Sequence, residues 1–218
     1  TLQFGHADGD KWVPSECDVS IRPGWFYHPE EDDKVKTPEQ LADLYYRNVG
    51  HNGTFLLNFP VDREGRVHKT DSINAVKFHQ IIQKELGNDL LKGMKATVSN
   101  ARSGYGVKGL TDGNYDTYWA TEEGVTTATI EYTLPKDTKV NRMMLQEYIP
   151  LGQRVKSFTV EYQTAEGWKP VQMNEETTTI GYKRLLRFPT VQTDRLRITI
   201  GTDAQMKKLL KALKEMGC

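Results

Sequence analysis

The spacing of apolar residues differs between the first part of the chain and the rest. Within residues 1–90, apolar side chains recur at helical spacing over Glu39–Val49 and over Ser72–Leu86, with a short apolar run, Thr54–Phe59, between them. A brief and nearly continuous apolar run is typical of a strand buried on both faces. Together with a predicted strand Ser20–Trp25 before them, these segments give the order strand, helix, strand, helix, which indicates a parallel β/α architecture.

From about Lys95 the apolar period changes to two. Thr127–Leu134, Phe158–Tyr162 and Leu196–Ile200 each alternate apolar and polar residues, with turn residues between the segments. This pattern predicts an antiparallel β-sandwich over residues 94–200. Gly87–Gly93 is the natural linker between the two parts.

Residues 203–218 return to helical spacing, and four lysines separate the apolar positions. We expect an amphipathic helix of uncertain origin. This helix, or the terminal Cys218, is a candidate for self-association. A solvated helix that packs on the sandwich is the alternative.

Charge and composition exclude several classes of protein. Lys plus Arg and Asp plus Glu both number 29, so the chain lacks the basic excess expected of a nucleic-acid-binding protein. No apolar run approaches the ~18 residues of a membrane span. The two cysteines, Cys17 and Cys218, lie near opposite ends and predict neither a disulfide framework nor a metal site.

The segment Trp12–His28 is the richest in chemically active side chains. It holds the carboxylates Glu16 and Asp18, an arginine, a histidine and four aromatic rings. Aromatic rings suit the apolar face of a sugar, and charged groups suit its hydroxyls. A buried strand with an aromatic core is the alternative.

This segment resembles the family 29 glycoside hydrolases, the retaining α-L-fucosidases, and in particular bacterial members with an appended sandwich. The likeness continues through Tyr45-Tyr46, Val49-Gly50, Asn52, Leu56-Leu57-Asn58-Phe59-Pro60, Asp62-Arg63 and Gly65. It implies an α+β multidomain fold. Residues 1–90 would form the last β/α units of a (β/α)8 barrel, and residues 94–200 a discoidin-like (coagulation factor type C) sandwich of jelly-roll type.

The resemblance also suggests which residues bind the sugar. Trp25, at the end of a predicted strand Ser20–Trp25, matches an aromatic residue that contacts the fucose methyl group in the family; the alternative is a core indole. His28 in the following loop could reach a sugar hydroxyl, or could simply be solvated.

Glu16 is the one catalytic candidate in the chain. A retaining glycosidase needs two carboxyl groups about 5–5.5 Å apart, and Glu16 and Asp18 share one face of a strand. The resemblance instead implies that the nucleophile and the acid/base lie before Thr1. Glu16 would then be a buried carboxylate that braces the pocket against Arg22. Asp62-Arg63 is expected to form an ion pair that fixes a loop.

The segment Asp112–Thr117 resembles the signature turn of discoidin-like domains. The side chains of Asp112, Asn114, Asp116 and Thr117 offer hard oxygen ligands of the kind that calcium takes, and the resemblance implies a structural calcium. An Asx-rich turn closed by its own hydrogen bonds is the alternative. No other cofactor is expected.

A full (β/α)8 barrel needs about 250 residues, so we expect the chain to be a fragment or an engineered piece. Three classes of function remain open. The first is an exported α-L-fucosidase acting on fucosylated oligosaccharides or glycoconjugates, whose activity requires the rest of the barrel. The second is a sandwich that binds glycan or a partner without catalysis. The third is an engineered assembly that uses the terminal helix.

Overall fold

The computed structural model describes residues 11–202, which form two compact units. The first comprises residues 11–88 together with Lys183–Leu185, and the second comprises residues 89–182 and 186–202. The division falls at Asn88–Asp89, within the segment predicted to be a linker. The predicted helix over 203–218 lies outside the described residues.

Two strands and two helices alternate along the first unit. The strands pair in parallel, from Ser15 opposite Gly53 to Ser20 opposite Asn58. The unit therefore has the predicted parallel strand–helix–strand–helix order. Its elements are β1 (Ser15–Ser20), α1 (Pro38–Asn48), β2 (Gly53–Asn58) and α2 (Lys69–Leu86), with a short 3-10 turn at Pro29–Glu31.

The first strand lies earlier than the sequence predicted. We expected Ser20–Trp25, whereas β1 is Ser15–Ser20. Pro23 has no backbone N–H to donate to a ladder, and Gly24 follows it, so the chain turns away from the sheet. Trp25 therefore lies in the loop after β1.

Helix α1, Pro38–Asn48, lies one residue earlier than the predicted range Glu39–Val49. The Thr37 hydroxyl accepts the N–H of Gln40, and the Gln40 side chain accepts the N–H of Thr37. This reciprocal pair satisfies two backbone donors that a helix leaves unpaired, and Pro38 occupies the first turn, where proline is tolerated.

Strand β2 is not buried on both faces, as the apolar run had suggested. Leu57 packs into the core of the first unit, but Leu56, on the opposite face of the strand, is 55% exposed. For the described residues the prediction is wrong, because the core that they form covers only one face of the β1–β2 pair. That core joins Ile21, Val35 and Leu41 with Leu57, Phe59 and Phe78.

The second unit is an antiparallel, sandwich-like sheet of five strands, as predicted. The spatial order is β3-β4-β7-β5-β6. The two longest strands each span 19 residues, and each contains one of the expected segments, Thr127–Leu134 and Leu196–Ile200. The strands are β3 (Lys95–Val98), β4 (Thr127–Leu145), β5 (Val155–Thr164), β6 (Gly167–Pro170) and β7 (Arg184–Thr202).

Alternating residues of these strands form the core of the second unit. Phe158 and Val160 of β5 are buried together with Leu196 and Ile198 of β7. Burial raises the pKa of Tyr132 to about 12, because the phenolate would lose its hydration. The polar face of the same sheet carries Glu131, Glu161 and Arg197 in cross-strand ion pairs. None of the helices within residues 11–202 is long and apolar enough to cross a membrane.

The second unit should unfold more easily when its core is truncated. Leu186 is fully buried, so Leu186→Ala should lower the free energy of unfolding by about 2–5 kcal/mol through lost burial and a residual cavity. Met144→Ala is the control, because Met144 on β4 is 54% exposed. Urea titrations followed by tryptophan fluorescence measure both. Equal effects of the two substitutions would contradict this description of the core.

Candidate functional site

An open cavity of about 340 Å³ lies toward the carboxyl ends of β1 and β2. Since parallel strands end at the same edge, both strands and their following loops contribute to it. Its volume is at the lower end of the range for small-molecule pockets. Its lining combines apolar side chains with one carboxylate and one amide: Asp18, Trp25, Leu56, Leu57, Asn58 and Phe59.

Trp25 forms part of the cavity wall, with its residue 55% exposed. Its backbone is fixed from β2, because the Asn58 amide donates to the Trp25 carbonyl at 3.2 Å and lies 3.3 Å from the Ser20 hydroxyl. One amide thus ties the end of β1 to the loop that carries the indole.

Arg22 organises the same loop from inside the protein. Its guanidinium is fully buried and forms a bidentate pair with Asp71, with Nε and one terminal nitrogen each 2.8 Å from a carboxylate oxygen. The same nitrogen lies 2.9 Å from Asp32. Hydrogen bonding to Asp71 raises the pKa of Arg22 above its ordinary value, so the group stays charged.

Two further contacts tie Arg22 to the loop itself. Its other terminal nitrogen donates to the His28 carbonyl at 3.3 Å, and the guanidinium carbon lies 4.6 Å from the centre of the Tyr27 ring. Lys36 closes the loop from the far end, donating to the carbonyls of Ser20 at 2.7 Å and Arg22 at 3.2 Å. Burial lowers the pKa of Lys36.

Glu16 does not have the surroundings expected of it. It is exposed on β1, on the face that also carries Asp18, and it does not line the cavity. Arg22 pairs with Asp71 and Asp32 rather than with Glu16. The expected brace is therefore wrong. Arg22 lies beyond the end of β1, where α2 brings the Asp71 carboxylate against it.

His28 lies at the edge of this loop rather than on the cavity wall. Its side chain is 54% exposed, and Nδ1 lies 3.9 Å from a carboxylate oxygen of Glu30. The part of His28 that joins the network is its carbonyl, which accepts from Arg22. Binding of a hydroxyl by the imidazole stays a prediction.

Sequence reasoning missed Asp71, Asp32 and the bond from Asn58. Asp71 lies in the first turn of α2, where an acidic residue is unremarkable, and it is 49 positions from Arg22. Only its complete burial distinguishes it from an ordinary helix-start carboxylate.

The predicted ion pair between Asp62 and Arg63 is also wrong. Asp62 accepts the backbone N–H groups of Glu64 and Arg66 and lies 3.4 Å from the Arg66 guanidinium. The bond from the Arg66 N–H is the main reason that the pKa of Asp62 is lowered. The turn passes through Gly65 at φ 76°, a conformation that favours glycine.

The four residues proposed for calcium lie together in one exposed turn. One Asp112 oxygen accepts the Asn114 N–H at 2.9 Å and the other accepts the Thr117 hydroxyl, while the Asn114 amide oxygen accepts the Asp116 N–H at 3.0 Å. The Thr117 bond is the main cause of a lowered pKa at Asp112. These oxygens face donors of the turn itself, so the arrangement fits a self-closed turn better than a cation cage. Calcium stays a prediction.

Comparison with known proteins shows the family to which the chain belongs. The model of the F5/8 type C domain family matches residues 95–212, more than half of the chain. The chain belongs to the F5/8 type C domain family. This agrees with the discoidin-like resemblance and with the antiparallel sheet of the second unit.

The similarity extends over both units. The chain is 37% identical over 199 residues to alpha-L-fucosidase 1 of Arabidopsis thaliana, which covers 88% of this chain and 38% of that protein. A family 29 glycoside hydrolase fucosidase from Ruminococcus gnavus, solved in complex with fucose, superposes with a TM-score of 0.83 at 36% identity, covering 91% of this chain and 40% of that one.

A family 29 member from a rumen bacterium superposes with a TM-score of 0.72 at 33% identity, covering 91% of this chain and 32% of that one. These similarities support a discoidin-like domain within the glycoside hydrolase family 29, as the sequence motifs indicated. The chain spans about two fifths or less of each of these relatives.

The hydrogen bonds within the turn Asp112–Thr117 predict which substitutions lower the melting temperature. Asp112→Ala removes acceptors for two donors and should lower the melting temperature, whereas Asp116→Ala should change it less, because Asp116 contributes its backbone N–H to these bonds. Scanning calorimetry in EDTA and in added CaCl2 then tests the ion. A rise in melting temperature with CaCl2 that Asp112→Ala abolishes would assign calcium to the turn. Equal melting temperatures in the two buffers would remove it.

Proposed function

We propose that the chain is part of a retaining α-L-fucosidase and that the Trp25 cavity is one wall of its fucose site. The observation that carries this proposal is the cavity at the carboxyl ends of two parallel strands, with an exposed indole on its wall. Barrel enzymes build their active sites at this edge, and the R. gnavus relative was solved with fucose bound. On this proposal β1, α1, β2 and α2 are the last units of the barrel.

The lining suits a deoxy sugar. The apolar part, Trp25 with Leu56, Leu57 and Phe59, is matched to the methyl group and the C–H face of fucose. Asp18 and Asn58 offer a carboxylate and an amide for the hydroxyls. Asn58 also holds the Trp25 carbonyl, so the polar and apolar parts of the wall are linked.

Catalysis requires a second carboxyl group within about 5–5.5 Å of the first. Asp18 is the one carboxylate on the described cavity wall, and Glu16, two residues earlier on the same strand, does not line it. We therefore propose that the nucleophile and the acid/base lie outside the described residues 11–202. The whole enzyme would act by double displacement, with water as the second substrate and no cofactor.

A second candidate function is glycan or partner binding by the F5/8 type C domain without catalysis. The observation in its favour is a cluster of tyrosines in the second unit. The Tyr105 and Tyr118 rings stack at 5.0 Å, and the Tyr118 and Tyr148 rings at 4.7 Å. The Tyr115 ring joins this cluster, with its centre 5.6 Å from Tyr148 and 5.3 Å from Tyr182. Tyr105, Tyr115 and Tyr182 each keep more than a third of their surface exposed.

Fucose binding by this chain should depend on Trp25. We expect Trp25→Ala to abolish saturation-transfer NMR signals from the fucose methyl group, because the substitution removes the indole wall. The matched control is Phe26→Ala, since Phe26 is adjacent, 78% exposed and not part of the cavity lining. Undiminished signals in Trp25→Ala would reject the cavity as the fucose site.

The chain alone should not hydrolyse an aryl α-L-fucoside. Its described cavity holds one carboxylate where double displacement needs two. Release of the aryl alcohol, blocked by a fucose-mimicking iminosugar, would show instead that the nucleophile lies in this chain. Glu16→Gln and Asp18→Asn would then identify which carboxylate is required.

A further inference from the structure

We infer that Arg22 is a positioning residue of the cavity, acting on the sugar site through Trp25, although neither the guanidinium nor Asp71 lines the cavity. This inference rests on the proposed function for the sugar, but the effect on Trp25 is a property of the chain itself.

The indole needs an external support. Because more than half of Trp25 is exposed, packing against neighbours does little to fix it. Its place on the cavity wall is set by the backbone of the loop after β1. If the loop moves, the Trp25 side chain takes several positions. Sugar binding is then weakened by the conformational entropy lost when the side chain is held in one of them.

Arg22 is built to hold that loop. Its Nε and two terminal nitrogens reach Asp71, Asp32 and the His28 carbonyl, three points on a helix and on the loop. Trp25 lies between Arg22 and His28 in the sequence. The chain is therefore held on both sides of Trp25, by the Arg22 residue before it and by the bond from the guanidinium to the His28 carbonyl after it. The Tyr27 ring, 4.6 Å from the guanidinium carbon, adds a contact within the same segment.

A lysine at this position would keep the charge but not the geometry. The ammonium is a point donor at the end of a flexible stem, so it could neutralise Asp71 without also reaching Asp32 and the His28 carbonyl. Arg22→Lys therefore separates neutralisation of the buried Asp71, which a purely structural role requires, from control of the loop.

The test labels the chain with 5-fluorotryptophan and records 19F NMR spectra. The chain has four tryptophans, and Trp25→Phe assigns the Trp25 line. In Arg22→Lys, with an unchanged far-UV circular dichroism spectrum, we expect the Trp25 line to shift or broaden while the Trp119 and Trp168 lines stay. The dissociation constant for L-fucose should rise by up to about 10-fold, because binding must then order a side chain that the loop no longer holds.

Arg197→Lys is the matched control. Arg197 also pairs with a carboxylate, 2.9 Å from Glu131, and its guanidinium carbon lies 4.0 Å from the Trp168 ring centre. This variant should move the Trp168 line and leave both the Trp25 line and fucose affinity unchanged. A general effect of weakening any arginine–carboxylate pair would instead move the Trp25 line as well.

Asp32→Asn keeps the test decisive if Arg22→Lys does not fold. Asp32 is only partly buried, and its substitution leaves the Arg22–Asp71 pair in place. We expect a smaller change of the Trp25 line in the same direction. An unchanged Trp25 line in the folded variants would overturn the inference. If the Trp25 line moves in Arg22→Lys but the wild-type chain binds no fucose, the control of Trp25 by Arg22 is upheld and the proposed sugar site is rejected.

Discussion

The first unit depends on a charged pair that has no access to water. Arg22 and Asp71 are both fully buried and meet through two hydrogen bonds of 2.8 Å. Removing one member of such a pair generally costs about 3–5 kcal/mol, since the other charge is left without a partner. A hydrophobic pair could give comparable stability. The ion pair also fixes the geometry of the loop, because the same guanidinium binds Asp32 and the His28 carbonyl.

These contacts explain how the loop after β1 is held in one position in a unit with only two described strands. The loop after β1 leaves the sheet at Pro23, and Asn58 and Arg22 hold it from two sides. The cavity is then a consequence of the loop's position over the exposed face of β2. The F5/8 type C domain has its own core of alternating apolar residues on β4, β5 and β7 and needs none of these contacts to form it.

Patterns that are local in sequence predicted the fold well. Helical spacing located α1 and α2, and the change to a period of two located the antiparallel sheet. The errors arose where a short pattern has two structural meanings. The run ending at Phe59 was interpreted as doubly buried, although Leu56 is exposed. The predicted strand Ser20–Trp25 lies too late, because Pro23 and Gly24 end the pairing after Ser20.

The site was harder to predict because its partners are distant in sequence. The motif that contains Trp25 could be recognised in the sequence. The carboxylate that binds Arg22, and so holds the Trp25 loop, belongs to Asp71, on a helix 49 positions from Arg22. Glu16 and Asp18 are close in sequence and share one face of β1. Arg22 pairs instead with Asp71 and Asp32. No local rule distinguishes a buried helix-start aspartate from a solvated one.

The most direct measurement is an intermolecular NOE spectrum of this chain with L-fucose. The account predicts cross-peaks between the fucose methyl protons and the indole protons of Trp25. Cross-peaks to the rings of the tyrosine cluster alone would contradict it, because they would place the sugar on the F5/8 type C domain and leave the Trp25 cavity without a ligand.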